Sequence, residues 1–409
     1  DPVIFWAPLP TTPPNAPTAW RRQLYAALAH GMRVVAVDRP AVSSARSDRD
    51  RTMAGVIEKA MREFSRFEDV FAGCRATMAP AAMLWSRTGD IWQDSRDPFA
   101  AGKRTLFIAT RHRQVPLDII TEDDVARGDL VDRKILFVTD QHIRESIAAI
   151  IAGWVASGGT LVASCGGIRN EFDQANVATE DLLGIRLRKI ETPAADMVTF
   201  EKQDLPFAKP IDQVTMGTNT AAPRLPVYAA RARVQARGAE VLGVFSDGTP
   251  AITRLRTGSG KAYWLGFLPG LSYFKPALPL RPVDQSMAAD SMAHFIPTNF
   301  DPVASALVEE LTADVPLPLR CENPLVETSM LVSTNGALVP LINWSGGGIT
   351  NLQVRLAVTG EFAISTASGA WLQIATNDQG RLVTLALEDA DAIILRHVAH
   401  PVTGISTNR

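Results

Sequence analysis

The sequence predicts an α/β fold in three parts: two βα units of the kind that ends a (β/α)8 barrel, then a doubly wound sheet domain, then a small C-terminal antiparallel β-sandwich. Three observations predict it. Apolar strands alternate with helices as far as about residue 275, and a proline-rich stretch without periodicity follows. After that stretch, short alternating strands recur with turn signals between them. Strand–helix alternation is typical of parallel sheets, and short strands at regular spacing are typical of sandwiches.

Length and composition set the outer limits. A chain of 409 residues is too long for one ordinary core, so two or three domains are expected. The formal net charge of -2 excludes the strong basic excess of a large nucleic-acid-binding surface. No apolar run approaches the roughly 18 residues of a membrane-spanning helix. We therefore expect neither a nucleic acid nor a membrane as partner.

The three cysteines, Cys74, Cys165 and Cys321, are far apart and odd in number. A disulfide framework has more cysteines at closer spacing, and a zinc site has paired ligands. The favoured interpretation is three buried thiols, with one disulfide bridge as the alternative.

Residues 1–78 are predicted to contain the last two βα units of a barrel. An apolar strand at 3–6 leads to a helix at 18–30 that Thr18 caps. A buried-type strand at 32–37 leads to a second helix at 52–70 with one apolar face. Two such units do not close a barrel.

Residues 79–275 are predicted to form a flavodoxin-like, doubly wound sheet, because strands and helices alternate there. The predicted elements are strands at 83–85, 117–120, 135–138 and 160–164, helices at 98–113 and 143–157, and antiparallel strands at 238–245, 251–256 and 260–268. The strands at 135–138 and 160–163 are uninterruptedly apolar. Since strands covered on both faces cannot alternate, we expect these two to be adjacent and central.

Residues 276–314 are predicted to be a linker with a short helix near 303–311. Residues 315–409 are predicted to be the β-sandwich. Its predicted strands lie at 328–333, 337–343, 352–356, 362–365, 382–387 and 391–396.

Three segments resemble the β-galactosidases of glycoside hydrolase family 42. Residues 134–162 contain a strand, a helix and the run W-V-A-S-G-G-T-L-V, which is similar to that family's W/F-V-x-x-G-G-T-L-V pattern. Residues 116–124 resemble its preceding strand and acidic loop, and residues 387–395 its closing sandwich strand. In that family a catalytic barrel precedes a trimerisation domain with a class I glutamine amidotransferase-like fold.

The resemblance implies that residues 79–275 are the trimerisation domain of a homo-oligomer and that the partner is a carbohydrate substrate. The family's acid/base and nucleophile are glutamates on earlier barrel strands. No glutamate occurs here before Glu58, which lies inside a predicted helix. A retaining hydrolase needs two carboxylates about 5–5.5 Å apart, so we assign no catalytic residue. The chain lacks an initial Met and enters a strand almost at once, so we expect it to be a fragment of a longer protein with an upstream barrel.

Three residues are candidates for sugar contact. Asp38 and Arg39 follow the predicted strand at 32–37, at the end where barrel enzymes place their chemistry. Trp6 ends the preceding strand, where its ring can stack on a sugar. The alternatives are a loop cap for Asp38, paired with Arg39, and a core position for Trp6.

Cys165 directly follows a predicted buried strand, in the run Ala-Ser-Cys-Gly-Gly. Class I glutamine amidotransferases place their nucleophilic cysteine on such an elbow. A thiol nucleophile needs an imidazole for activation, and Leu268 stands where the family pattern would have histidine. We therefore interpret Cys165 as a packed thiol without a catalytic partner.

The segment Ser86–Trp92 follows the first strand of the second domain. Either its polar residues line a mouth that faces the barrel or a neighbouring subunit, or it is an ordinary loop with an Asx-type turn at Asp90 and Trp92 tucked inward; we favour the loop. No two of the six histidines have H-x-x-x-H spacing, so neither a metal nor a cofactor is expected.

Two functions compete on this reading. The first is the assembly and accessory region of a β-galactosidase-like glycoside hydrolase, with the catalytic glutamates in a missing upstream barrel. The alternative is a non-catalytic carbohydrate-binding or scaffolding protein with degenerate hydrolase architecture. For the first we expect a trimer, with Trp92 and Trp154 as candidate anchors of the contact.

Overall fold

The structure is a computed structural model that describes residues 3–7, 16–37, 48–93, 97–192, 209–217, 222–277, 297–377 and 380–398. The chain divides into two compact units. Unit 1 combines residues 1–77 with residues 317–409, and unit 2 contains residues 78–316. The division into four parts (1–78, 79–275, 276–314 and 315–409) stays a prediction.

The N-terminal part of unit 1 has the predicted order of strand, helix, strand, helix. Its elements are β1 (Val3–Ala7), α1 (Ala16–Ala29), β2 (Met32–Val37), α2 (Asp48–Ser65), α3 (Glu68–Phe71) and β3 (Arg75–Ala76). β1 and β2 pair in parallel, as adjacent strands of a barrel do. Thr18 does not cap α1, because the helix already begins at Ala16.

The predicted helix at 52–70 is wrong at its end, since two helices occupy that region. Phe67 leaves the helical conformation, with φ -128° and ψ 11°. Its ring is buried and contacts Phe64 and Phe71 at centroid distances of 5.1 and 6.2 Å. The break places Phe67 in the apolar core, which outweighs continuation of the helix.

Unit 2 follows the predicted strand–helix alternation. Its first elements are β4 (Ala81–Trp85), α4 (Arg87–Trp92), α5 (Phe99–His112), β5 (Leu117–Thr121), α6 (Glu122–Arg127), β6 (Ile135–Val138), α7 (Glu145–Ala156), β7 (Thr160–Ser164) and α8 (Val177–Leu183). Its remaining elements are β8 (Ile185–Glu191), β9 (Asp212–Met216), β10 (Arg224–Val227), β11 (Arg231–Ala236), β12 (Glu240–Phe245), β13 (Pro250–Thr257), β14 (Gly260–Leu265), α9 (Pro269–Phe274), a 3-10 turn (Lys275–Ala277) and α10 (Pro302–Leu311).

The large sheet of unit 2 has nine strands in the order β10-β9-β12-β13-β14-β7-β6-β4-β5. The strands from β14 to β5 run parallel, and the strands from β13 to β10 are antiparallel. β6 and β7 are adjacent and central, and all nine of their side chains are buried. The expectation from their uninterrupted apolar character is confirmed.

The described residues of the C-terminal part of unit 1 form nine strands. They are β15 (Leu319–Cys321), β16 (Val326–Thr328), β17 (Leu331–Ser333), β18 (Gly336–Asn343), β19 (Ile349–Leu356), β20 (Phe362–Thr366), β21 (Leu372–Asn377), β22 (Gly380–Leu387) and β23 (Ala390–His397). One sheet has the order β15-β19-β22-β21, and the other has β20-β23-β18-β17-β3 with β16 beside β18. The predicted antiparallel sandwich is confirmed. The predicted strand at 328–333 is two strands, and β15 and β21 were not predicted.

Unit 1 is built in three layers. One core lies between the two sheets and includes Val339, Val354 and Leu385. A second core lies between helices and the outer side of the six-stranded sheet, and includes Trp20, Leu24 and Ile394. The βα segment and the sandwich therefore share a core.

A buried ion-pair network joins these layers. Arg21 of α1 donates from Nη2 to Glu63 Oε2 of α2 at 2.8 Å, and Tyr25 donates its hydroxyl to the same oxygen at 2.8 Å. Arg21 also donates from Nη1 to Asp389, in the turn after β22, and to the carbonyl of Ala390, the first residue of β23. One guanidinium thus links two helices to the sandwich.

None of the helices in the described ranges is long and apolar enough to cross a membrane.

Candidate functional site

The carboxyl edge of the large sheet is the candidate site. β4 lies between β5 and β6, so the chain leaves β4 toward one side of the sheet and returns on the other. In doubly wound sheets ligands bind at this switch point, beyond the carboxyl ends of the strands. A small cleft lies there, lined by Gly89, Trp92, Gln93, Asp97, Phe99, Asp140, Gln141 and His142.

Asp140 is the buried charge at the centre of this edge. It follows β6, and its carboxylate accepts hydrogen bonds from Lys103 Nζ of α5 at 2.7 Å and from the backbone N–H of Ser86 at 2.9 Å. Burial raises the pKa of Asp140, and Lys103 opposes that rise. A Cβ at Gly89 would lie 2.9 Å from the Asp140 Cβ, so only glycine fits there.

Glu122 is a second buried carboxylate on the same edge. It begins α6 and accepts hydrogen bonds from the Thr88 N–H at 3.1 Å, from the Thr88 hydroxyl at 2.9 Å and from the Arg144 N–H at 2.8 Å. Asp140 links the start of α4 to the loop after β6, and Glu122 links α4 to the start of α6 and to Arg144 before α7. These carboxylates are held by protein donors, so their geometry suits positioning of the edge rather than proton transfer to a substrate.

Four apolar side chains form an exposed rim beside these carboxylates. The aromatic rim consists of Trp85, Ile91, Trp92 and Phe172, whose side chains are all exposed, Ile91 to 82%. Trp85 donates its indole N–H to Asp90, next to Ile91, and Trp92 donates to the Glu171 carbonyl, next to Phe172. These bonds hold the indole rings in fixed orientations.

His142 packs against the rim through Trp92. Its ring stacks on Trp92 at a centroid distance of 5.5 Å and an interplanar angle of 15°. Its Nε2 lies 2.9 Å from Asp173 Oδ1, and its backbone carbonyl accepts the Ser86 hydroxyl at 2.6 Å. The imidazole is therefore engaged by two neighbours, and the His142 backbone carbonyl by a third.

The loop predicted at Ser86–Trp92 is wrong on two counts. Residues 87–92 form helix α4, which Ser86 caps by accepting a hydrogen bond from the Gly89 N–H at 2.9 Å. Trp92 is not tucked inward but lies half-exposed in the rim. The other candidate anchor, Trp154, packs against the core of unit 2 and over Gly159, where a Cβ would lie 2.3 Å from its ring.

Cys165 lies at the end of β7 in the left-handed region, with φ +53°. Its side chain is fully buried, and burial raises the pKa of its thiol. Leu268 is also fully buried, and the imidazole contacts found in the described part of the chain do not involve Cys165. The elbow conformation is present, but the residues that the structure describes offer no imidazole that would activate the thiol.

The thiols should be unreactive in the folded protein. All three cysteines are buried thiols rather than disulfide partners, and the thiolate, not the thiol, is the nucleophile. We expect less than one equivalent of thiol to react with Ellman's reagent at pH 8 within minutes, and three equivalents to react in 8 M urea. If one thiol of the folded protein instead reacts rapidly, and Cys165→Ala abolishes that reaction, Cys165 is an activated cysteine.

Of the three residues predicted to contact a sugar, Trp6 alone lies within the described residues. Trp6 lies in β1 opposite Ala36 of β2. Asp38 and Arg39 lie outside the described residues. Their contact with a sugar stays a prediction.

In the described ranges, no group of three or more His, Cys, Asp or Glu side chains is placed so that it could hold a metal ion.

Residues 102–278 match the family model of the beta-galactosidase trimerisation domain. Most of the chain is similar in fold to solved GH42 β-galactosidases. Gan42B from G. stearothermophilus has a TM-score of 0.62 at 15% identity over 93% of this chain and 51% of its own. The Rahnella sp. R3 enzyme, described as cold-adapted, has 0.62 at 18% identity over 95% and 53%. The Bacillus circulans sp. alkalophilus enzyme has 0.61 at 15% identity over 93% and 52%.

No curated protein sequence matches the chain. The chain spans about half the length of the solved β-galactosidases that it resembles. At these identities the structures establish the fold. The expectation from the sequence motifs is therefore confirmed: this chain has the fold of the C-terminal part of a GH42 β-galactosidase and contains a segment of the β-galactosidase trimerisation-domain family.

Proposed function

We propose that this chain is the assembly and accessory region of a β-galactosidase-like glycoside hydrolase, and that unit 2 joins three copies into a ring. The observation that carries the proposal is the match of residues 102–278 to the trimerisation-domain model. The aromatic rim supports it, because an exposed apolar patch beside polar groups is typical of a protein–protein contact.

The rim suits a contact with another copy for two reasons. Its indole N–H groups already have acceptors within the chain, so packing against a partner buries ring surface without leaving those donors unpaired. It is also rigidly supported, since Trp92 stacks on His142 and Asp140 fixes the start of α4. A preorganised surface loses less entropy on association. In a cyclic trimer the rim of one copy meets a different surface of the next.

The catalytic glutamates of such an enzyme would belong to an upstream barrel. β1 and β2, the two strands of the βα segment, contain no acidic residue. Trp6, Asp38 and Arg39 would then contact the carbohydrate substrate at the mouth of that barrel. This 409-residue chain by itself should release no nitrophenol from nitrophenyl β-galactoside, and turnover by it would contradict this part of the proposal.

The assembly is tested by light scattering on the chain and on Ile91→Asp. Ile91 points into solvent, so the substitution should leave the fold intact while a carboxylate in an apolar contact weakens association. We expect a trimer mass at micromolar concentration for the parent chain and a monomer mass for Ile91→Asp. The barrel of the complete enzyme can add contacts, so the complete enzyme with and without Ile91→Asp is measured in the same way.

The matched control is Val131→Asp. Val131 is 80% exposed but follows α6 and precedes β6, at the opposite edge of the sheet from the rim. The Val131→Asp variant should remain a trimer. A monomeric complete enzyme would refute the trimer, and equal dissociation of both variants would refute the rim as its contact.

A further inference from the structure

A second surface of the molecule, in unit 1, has the chemistry of a ligand site. It is the outer face of the four-stranded sheet β15-β19-β22-β21. The inner face of that sheet packs into the sandwich core through Leu352, Val354, Val383 and Leu385. Because side chains alternate along a strand, the residues between them point to the other face.

Two arginines stand directly opposite each other on this outer face. Arg320 of β15 pairs in register with Arg355 of β19. Like charges at such a cross-strand position repel. Neither arginine makes an ion pair or a hydrogen bond with any residue that the structure describes, and Arg355 Nη1 is buried without an acceptor. The nearest acid along the strand, Glu322, makes no ion pair with them in those ranges.

A row of hydrogen-bonding side chains runs beside the arginines. Gln353 of β19 is in register with Thr384 of β22, which is in register with Gln373 of β21. Amide and hydroxyl groups both donate and accept hydrogen bonds, as the hydroxyl groups of a sugar require. The row crosses the sheet from the arginine side to the β21 edge.

Trp371 stands at the β21 edge. It immediately precedes β21 and is 78% exposed. Its neighbour Leu372 turns toward the core, so the indole ring is open to solvent beside the polar row. A flat indole packs well on the C–H face of a pyranose ring, whose hydroxyl groups then point sideways.

We propose that this face, named here the sheet-face site, binds an acidic oligosaccharide. The guanidinium groups of Arg320 and Arg355 would hold a carboxylate or sulfate group, whose planar or multi-oxygen geometry matches their donors. The amide–hydroxyl row would bind sugar hydroxyls, and Trp371 would stack on a second ring. Four residues and two strand spacings separate Arg355 from Trp371, or about 16 Å from sheet geometry, and Arg320 lies one strand farther away. This span suits an oligosaccharide better than a single sugar.

The experiment measures saccharide binding to the 409-residue chain by calorimetry. The probes are oligogalacturonate, a sulfated galactan oligosaccharide and a neutral galacto-oligosaccharide of equal length. At least one acidic probe should bind ten-fold or more tightly than the neutral one, and which of the two binds identifies the anionic group as carboxylate or sulfate. Arg320→Gln, Arg355→Gln and Trp371→Ala should each lower the affinity five-fold or more, with unchanged unfolding midpoints.

The control is Arg237→Gln, which removes an exposed arginine of unit 2 that likewise has no ion pair with a described residue. It should leave affinity unchanged. Equal binding of neutral and acidic probes, or an equal loss in Arg237→Gln, would overturn the proposal. So would a change of molecular mass, rather than of saccharide binding, in Trp371→Ala, because it would make this face a contact between copies. The rim of unit 2 is untouched by these variants, so the two proposals fail independently.

Discussion

Lys103→Met is expected to destabilise unit 2 by about 3–5 kcal/mol, the cost of leaving a buried charge without its partner. Lys103 Nζ lies 2.6 and 2.7 Å from the two carboxylate oxygens of Asp140, whose side chain is 1% exposed. Methionine retains the aliphatic stem of the lysine, so the loss reports the ion pair. The measurement is the urea midpoint of the transition that involves unit 2.

The loss should depend on pH in a defined direction. Burial raises the pKa of Asp140 and Lys103 opposes it, so removal of Lys103 raises that pKa further. Between the ordinary carboxyl pKa of about 3.9 and the raised value, the folded state binds more protons than the unfolded state. Stability therefore falls as pH rises through this window. We expect a smaller loss at pH 5 than at pH 7.5.

The control for this prediction is Lys261→Met. Lys261 pairs with Asp314 at 2.6 Å, but the Asp314 side chain is 76% exposed. Such pairs contribute about 0.2–1 kcal/mol. Losses of equal size in the two variants, or a Lys103→Met loss that is the same at both pH values, would show that Asp140 is not a buried charge held by Lys103.

The sequence predicted the central strands of the large sheet because their environment leaves a local signature. β6 and β7 are covered on both faces, so every residue in them is apolar or small. β21 has no such signature. It is an edge strand whose side chains are mostly exposed, so neither periodicity nor apolar character marks it. Among the described strands β8 pairs with β11 alone, and it carries three basic residues, so it also lacks a local apolar signature.

The candidate site was only partly predictable for a different reason. Asp140 is visible in the sequence as the acid after a buried strand, but its partner Lys103 lies 37 residues earlier on a helix. Only the topology brings α5 beside the end of β6. Gly89 made residues 86–92 resemble a loop, yet glycine is required inside α4 because a side chain would meet Asp140. Packing against a distant strand thus overrode the local signal.

The second large effect is expected in unit 1, where Arg21→Met should cost about 3–5 kcal/mol in the free energy of unfolding. The Arg21 and Glu63 side chains are 6% and 4% exposed. Without the guanidinium, Glu63 Oε2 keeps only the Tyr25 hydroxyl as a donor, and Glu63 Oε1 already lacks a partner. The turn at Asp389 also loses its link to α1.

The test compares Arg21→Met with Arg62→Met and with the double variant Arg21→Met/Glu63→Leu in urea unfolding. Arg62 pairs with Glu58 on the surface of α2, with side chains 68% and 65% exposed, so its loss should be within about 0.5 kcal/mol. The double variant should regain part of the stability, because an apolar side chain replaces the unpaired carboxylate. If unit 1 is one cooperative body, the βα segment and the sandwich unfold together in every variant. Separate transitions, or a double variant less stable than Arg21→Met, would contradict the role given to this network.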